Sequence, residues 1–487
     1  MGAGRLAVGA SKRRSNRCRS SLPRELPAVA GNLPGVSEAD IAVVGAGIVG
    51  LAVARELARR EARRRVVVLE REDRVGMHQT GHNSGVAHAG IYYSPGSLNA
   101  RLCVNGAREL AEYCKTRGLP YERCGKLIVA LEARELRALD ELHRRGEANG
   151  VPGLRRVDAA ELRAIEPHAA GMAALHSPAT AIVDFAAVAR SFADDLRGAG
   201  SEIVLGAAVE GVEVRPGGGA QPSAGRGVRT TASATESPPA AGDSSPGVAG
   251  GDSSPGAAAG DSSRRVAPGA SPRRIVLRHS RGELVAGFAV FCGGAWSDRL
   301  AELAGAGADP RIVPFRGAYL RLVPHRRELV RGLIYPVPDP GLPFLGVHLT
   351  RQLGGDVLIG PGALLSPQGL GRSLRWPGTW RMARRWWRTG LTEIHRAVSP
   401  AALVRAAARY VPELGPDDAE RAWAGVRAQA LARDGTLLDD FAFSHTERAL
   451  HVRNAPSPAA TAALAIARHV ADEVERGNAG RPRSRGP

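Results

Sequence analysis

Three histidines, His78, His82 and His88, fall within the stretch HQTGHNSGVAHAG, together with Asn83 and a set of glycines, serines and alanines. The stretch has the period of neither a helix nor a strand, so it reads as bending backbone that carries proton-handling groups. Imidazole titrates near neutral pH and suits general acid–base work. The plain alternative for each ring is a hydrogen bond to loop backbone or to a bound cofactor. Three close histidines also invite a metal reading. No carboxylate or cysteine joins them locally, so no metal site is expected.

A second chemical signature precedes this loop. Gly45, Gly47 and Gly50 stand in VVGAGIVG, after the run DIAVV and before the helical pattern IVGLAVARELARR. The next apolar run, VVVLE, ends at Glu70. A glycine triplet alone is weak evidence, but this context gives each residue a physical task. Gly45 permits the tight turn, Gly47 lets backbone approach a pyrophosphate, and Gly50 allows close helix–strand packing. The helix N-terminus attracts phosphate charge. Glu70 is placed to accept hydrogen bonds from a ribose and disfavours a 2′-phosphate.

The elements around these motifs bound the fold. With 487 residues there is material for two or three domains, and 44% hydrophobic content suits packed cores. No run of 18 apolar residues occurs, so no spanning helix is expected. The five cysteines show neither CxxC nor zinc spacing, which fits free thiols in a reducing compartment. The net charge of +18 invites a nucleic-acid reading. More than half of it lies in two ends, 1–35 with +6 and 476–487 with +4, so no nucleic-acid partner is expected. The first 24 residues are rich in Arg, Ser and Ala and contain no acid, as in a mitochondrial transit peptide.

Helical patterns are predicted at 98–118, 132–148, 186–200 and 375–413, with strands at GKLIVAL, EIVLGAAVEGVEV and across 311–360. Residues 216–274 repeat GDSSPG at 242 and 251 and GDSS at 260. Such composition cannot bury enough apolar surface to order itself, so it reads as a dispensable insert between two strands. The segment 374–390 gathers four tryptophans and a run of arginines. It suits either a membrane interface or an inward-packing helix.

At the level of whole motifs, HQTGHNSGVAHAGIYY, NGVPGLR, RIVPFRG, FLGVH, GVRAQA and HVRNAPSPAAT occur in one order. In these the chain resembles the L-2-hydroxyglutarate dehydrogenase family of the FAD-dependent, D-amino-acid-oxidase-like oxidoreductases, from about Asp40 to Glu475 apart from the insert. The resemblance implies an α/β fold: a discontinuous, Rossmann-like FAD-binding domain with a mixed-sheet substrate domain. The FAD domain would comprise 36–110, 160–215, 275–310 and 418–475, and the substrate domain 111–159 and 311–417. Residues 1–35, 216–274 and 476–487 would stand outside both.

It implies FAD as cofactor, and oxidation of a 2-hydroxy dicarboxylate by hydride transfer to the flavin with a histidine as base. An amino acid or glycerol 3-phosphate as substrate, or a non-catalytic flavin protein, are the rival readings. Base candidates are His82, His88 and His348. Arg427 matches the family's substrate-carboxylate arginine, and Arg316 is a second candidate or a structural residue of its strand. Cofactor contacts are implied at Gly45, Gly47, Gly50, Glu70, Gly81, Asn83, Ser84, Gly85, Val209, Gly293, Asn454, Ser457 and Thr461. Tyr92, Tyr93 and Tyr335 line the pocket or belong to the core. The electron acceptor is not named by the sequence; the membrane quinone pool and an electron-transfer flavoprotein are the candidates, with a peripheral contact to the mitochondrial inner membrane.

Overall fold

The computed structural model describes residues 37–216, 273–339, 345–367 and 369–479. The expected targeting segment, nearly all of the 216–274 insert, and the last eight residues lie outside them. The tail expected from 476 begins later, because the last helix runs Ala463–Ala479.

The apolar run Val66–Leu69 is buried at every position, which requires cover on both faces. It pairs in parallel with the first strand, Ser37–Val44, and with Glu202–Val204. Ser37–Val44 also pairs in parallel with Gly282–Phe291. The helix Ile48–Arg60 crosses between the first two strands and packs against Phe185–Gly198 and Ala463–Ala479. Apolar residues of these helices, among them Leu51, Leu57, Phe192 and Ile466, close one core. Ala449–Asn454 adds to this eight-stranded sheet beside Gly282–Phe291. At its far edge Val209–Arg215 and Arg274–His279 form an antiparallel pair in which Arg215 faces Arg274.

A second, nine-stranded sheet is mixed. Lys126–Ala130 runs parallel to Leu333–Pro336 and antiparallel to Ala173–Ser177. Arg311–Leu322 pairs along its whole length with Ala419–Leu431, from Arg311 opposite Leu431 to Leu322 opposite Ala419. Two segments therefore differ from the expected division. Ala173–Ser177 and Ala419–Leu431, assigned from sequence to the nucleotide-binding segments, belong to the second sheet. Strand character is local and was legible; the choice of sheet is decided by long-range pairing. The helices Pro377–Arg385, Trp387–Val398 and Pro400–Ala408 follow, interrupted where the sequence suggested one helical region.

Candidate active site

A cavity of about 1250 Å³ extends from the N-terminus of helix Ile48–Arg60, past the histidine loop, to the segment Asn454–Thr461 and the strand that carries Arg427. The glycine turn forms one end. Gly45 has φ +107°, and a Cβ there would lie 2.5 Å from the Cys292 carbonyl oxygen. A Cβ on Gly50 would lie 2.0 Å from the Gly45 carbonyl oxygen, so side chains are excluded at both positions. Gly47 differs: the nearest atom to its Cβ position is Thr80 Oγ1 at 3.6 Å, and the residue lines the cavity. Bare backbone thus faces the cavity at a helix N-terminus, as a pyrophosphate requires.

Glu70 has a structural task of its own. Its carboxylate accepts the Ala46 N–H at 2.6 Å and the Glu72 N–H at 3.0 Å, so it holds the turn shut, and it is not among the lining residues. Thr80 Oγ1 accepts the Ile48 N–H at 3.0 Å and ties the histidine loop to the same turn. Val209 lies at the start of an outer strand and packs on that sheet's core, away from the cavity lining. Gly293 also lies outside the lining; a Cβ there would lie 2.5 Å from Leu300 Cδ1, which makes it a packing glycine beside the lining residues Cys292 and Gly294. Burial pushes the Cys292 thiol up to about 12, in keeping with packing.

The histidine loop is closed by Asn83. Its Nδ2 donates to the Gln79 and Thr80 carbonyls, and its Oδ1 accepts the Gly85 N–H at 2.8 Å. Asn83 therefore orders the loop. Gly81 and Gly85 serve the same turns: their Cβ positions lie 2.9 Å from the Gly76 carbonyl oxygen and 3.0 Å from that of Val183. Neither is a lining residue, whereas Ser84, with its carbonyl accepting from Gln352 Nε2, is one. Gln79 was not singled out from the sequence. Its Oε1 accepts the Ala428 N–H at 3.1 Å, joining this loop to the strand of Arg427.

The histidines separate by environment. His78 leaves the set, its Nε2 lying 3.1 Å from Glu72 Oε1. His82 is exposed and lines the cavity, with Nδ1 3.1 Å from the His78 carbonyl oxygen. His88 also lines it; its backbone N–H donates to Thr461 Oγ1, and its Nε2 lies 3.4 Å from Ser457 Oγ. Its Nδ1 is buried without a partner. Burial, then the positive charge of Lys126, holds His88 well below the usual histidine range. His348 is 4% exposed and stacks on Tyr335 at 4.0 Å. Its Nδ1 sits 2.9 Å from the Gly346 carbonyl oxygen. A carbonyl only accepts, so Nδ1 carries the proton and Nε2 keeps a free lone pair. Burial lowers this imidazole to about 3, with Arg427 and Lys126 adding to the depression.

Arg427 is exposed on the cavity wall and has no ion-pair partner among the described residues. Arg316 does not share that wall. The ladder sets Arg427 opposite Phe315, and strand alternation turns Arg316 to the other face. The candidate pair of arginines is thereby reduced to one. Elsewhere on the cavity wall Asn454 Nδ2 donates to the Leu438 and Asp440 carbonyls, while its Oδ1 is buried without a partner among the described residues. Asn454, Ser457 and Thr461 all line the cavity, and the helix they precede starts at Ala463. Tyr92 and Tyr93 line it as well; Tyr335 is buried.

Sequence reasoning passed over Lys126. It is 2% exposed, and its ammonium lies 4.6 Å from the Tyr92 ring and 4.7 Å from the Tyr335 ring. Its signal was visible: a single lysine opening the otherwise apolar strand KLIVA. Among the described residues no group of His, Cys, Asp and Glu is arranged to hold a metal ion.

This turn, wall and cavity are those of a flavin-dependent oxidoreductase, and residues 40–241 and 263–473 match the family described as FAD dependent oxidoreductase. The fold is that of L-alpha-glycerophosphate oxidase from Mycoplasma pneumoniae with FAD bound, at TM-score 0.66 and 19% identity over 90% of this chain and 95% of that one. Glycine oxidase from Geobacillus kaustophilus gives 0.58 and 20%, over 91% and 95%. The cofactor is FAD. Within the class, the chain is 42% identical over 452 residues to "L-2-hydroxyglutarate dehydrogenase, mitochondrial" of Nematostella vectensis, covering 89% of this chain and 90% of the relative. The protein of that name from Homo sapiens is 41% identical over 458 residues, covering 90% and 89%. The chain belongs to the L-2-hydroxyglutarate dehydrogenase family.

Proposed function

We propose that the protein oxidises L-2-hydroxyglutarate to 2-oxoglutarate. The observation that carries this reading is that Arg427, without an ion-pair partner among the described residues, lines one cavity with the neutral His88, while the neutral His348 is buried outside the lining. Its guanidinium pairs with the C1 carboxylate and aims the C2–H bond. Bound FAD supplies the acceptor for the hydride that leaves C2. His348 takes the hydroxyl proton at Nε2, where the Gly346 carbonyl has fixed the tautomer. The cations that depress His348 are offset once a dianion is bound, and its basicity rises toward the range that proton transfer needs. The glycine turn and the Asn454–Thr461 segment hold the two ends of the cofactor.

The helices Pro377–Arg385 and Trp387–Val398 suggest where the electrons leave. Trp376 packs inward, its Nε1 donating to the Leu431 carbonyl at 3.0 Å. Trp380 and Trp387 are 61% and 56% exposed, next to exposed Leu391 and Ile394, and are flanked by Arg381, Arg384 and Arg388. Arg385 and Trp386, between them, line the cavity. This face suits an anionic bilayer, where a membrane quinone takes the electrons from the reduced cofactor; an electron-transfer flavoprotein is the alternative acceptor. The mitochondrial inner membrane is the location this implies, with residues 1–35 as the address.

Purified, yellow protein mixed anaerobically with L-2-hydroxyglutarate should lose its visible flavin band. No bleaching, or faster bleaching by an amino acid or glycerol 3-phosphate, refutes the substrate assignment.

A further inference from the structure

Lys126 opens a strand whose five residues are all buried. A buried lysine normally pairs with an acid or loses its charge. None of the described acids pairs with this one; what surrounds its ammonium is the pair of rings of Tyr92 and Tyr335. Both contacts are of the cation–π kind, which favours the charged form only in part. Burial accordingly lowers this amine to about 7. A protein gains nothing in stability from such a group, so the cost points to a ligand.

Its position says which ligand. Lys126 is not itself a lining residue; it stands against Tyr92, which lines the cavity, and against Tyr335, which stacks on His348. His88 and His348 each feel two positive charges, Lys126 from one strand and Arg427 from another. The two cations therefore act on the same pair of imidazoles, and neither has a counter-ion among the described residues. A monocarboxylate would neutralise one of them. A dicarboxylate with its hydroxyl between the two ends would neutralise both.

We infer that Lys126 binds the distal carboxylate of the substrate, so that the Lys126–Arg427 pair selects dicarboxylates over 2-hydroxy acids with a single carboxylate. This rests on the proposed function and deepens it. The tyrosine rings hold the ammonium until the carboxylate arrives, and the substrate supplies the missing negative charge. Hydride and proton still leave from C2, as before; Lys126 takes no part in bond making.

The test compares L-2-hydroxyglutarate with (S)-2-hydroxypentanoate, which has the same carbon chain but a methyl group in place of the distal carboxylate. The full-length holoenzyme and its Lys126→Met and Lys126→Gln variants are assayed with both. Removing one partner of a desolvated ion pair should lower kcat/KM for L-2-hydroxyglutarate by roughly 100-fold. The value for 2-hydroxypentanoate should change by less than about threefold. Competitive inhibition by glutarate should weaken in the same proportion, and inhibition by pentanoate should not. A parallel loss on both substrates would assign Lys126 to the histidines or the flavin and overturn the inference, as would no loss on either. Failure of both variants to load FAD overturns it too, because a cation devoted to the substrate is dispensable for the cofactor. A wild-type enzyme inactive on L-2-hydroxyglutarate is a separate result, which removes the proposed substrate before any variant is made.

Discussion

The two ends of the cavity hold their polar groups in opposite ways. At the glycine turn, the Glu70 carboxylate and the Thr80 hydroxyl each have backbone donors, and the glycines are in contact with neighbouring carbonyls. On the side proposed for the substrate, Arg427 and Lys126 lack counter-ions among the described residues, and His88 Nδ1 lacks a partner among them. The first region works by shape and is already satisfied. The second works by charge and is completed by what binds to it. A region of the first kind should fail when something is added, and one of the second kind when something is removed.

The largest effect should come from adding bulk at the turn. Gly50→Val places atoms where the Gly45 carbonyl already lies, and should give protein without bound flavin. Gly47→Val, at a roomier position, should fold but still block the approach of backbone to the pyrophosphate. Absorbance and flavin content after gel filtration decide this, and a Gly50→Val protein with stoichiometric FAD would break the contrast.

Removal should matter next on the charged side. His348→Gln should lower kcat by about 100- to 10,000-fold with FAD retained, the usual range for a general base. If His348→Gln stays within about tenfold and His88→Gln does not, the base is His88. Arg427→Ala should lower kcat/KM by about 30- to 4,000-fold, the equivalent of about 2–5 kcal/mol for an unmatched buried carboxylate. Arg427→Lys should restore only part, since an ammonium cannot reproduce the planar fork. Steady-state kinetics showing less than about a threefold loss in Arg427→Ala would remove the carboxylate role from Arg427.

The smallest effect concerns acid. His348 and His451 are lowered by burial to about 3 and about 4, and His88 is lowered as well. Below the ordinary histidine range the unfolded chain then binds more protons than the folded one, so stability falls as pH drops from about 6.5 toward 4. Thermal melts across this window should show a declining Tm, and glutarate should blunt the decline by neutralising the cations near His88 and His348. A flat Tm would show that these rings are more accessible than their packing indicates.

How legible each region was follows from the same contrast. The turn could be read residue by residue, because Gly45 and Gly50 answer to atoms only a few positions away or in the adjoining strand. The membership of Ala419–Leu431 could not, since its partner strand begins more than a hundred residues earlier. Arg316 and Arg427 look alike in sequence, and only the register opposite Phe315 tells them apart. Glu70 stands at its strand end as expected, and its hold on the Ala46 N–H is the part that spacing alone does not show. Lys126 was overlooked because strand patterning treats one polar residue in an apolar run as noise, when burial without a partner is the informative property.

The edge pair Val209–Arg215 and Arg274–His279 has a consequence for how this chain can vary. Arg215 and Arg274 are cross-strand neighbours, so whatever joins them leaves and returns at one point on the surface. Closing a flexible segment costs entropy only as the logarithm of its length, about 0.6 kcal/mol for each doubling. Length at this point is thus nearly neutral for folding, and the edge can accept or shed dozens of residues while the catalytic half keeps its geometry. The same property makes it a port: a reporter domain whose own ends lie close together could be spliced between these two arginines.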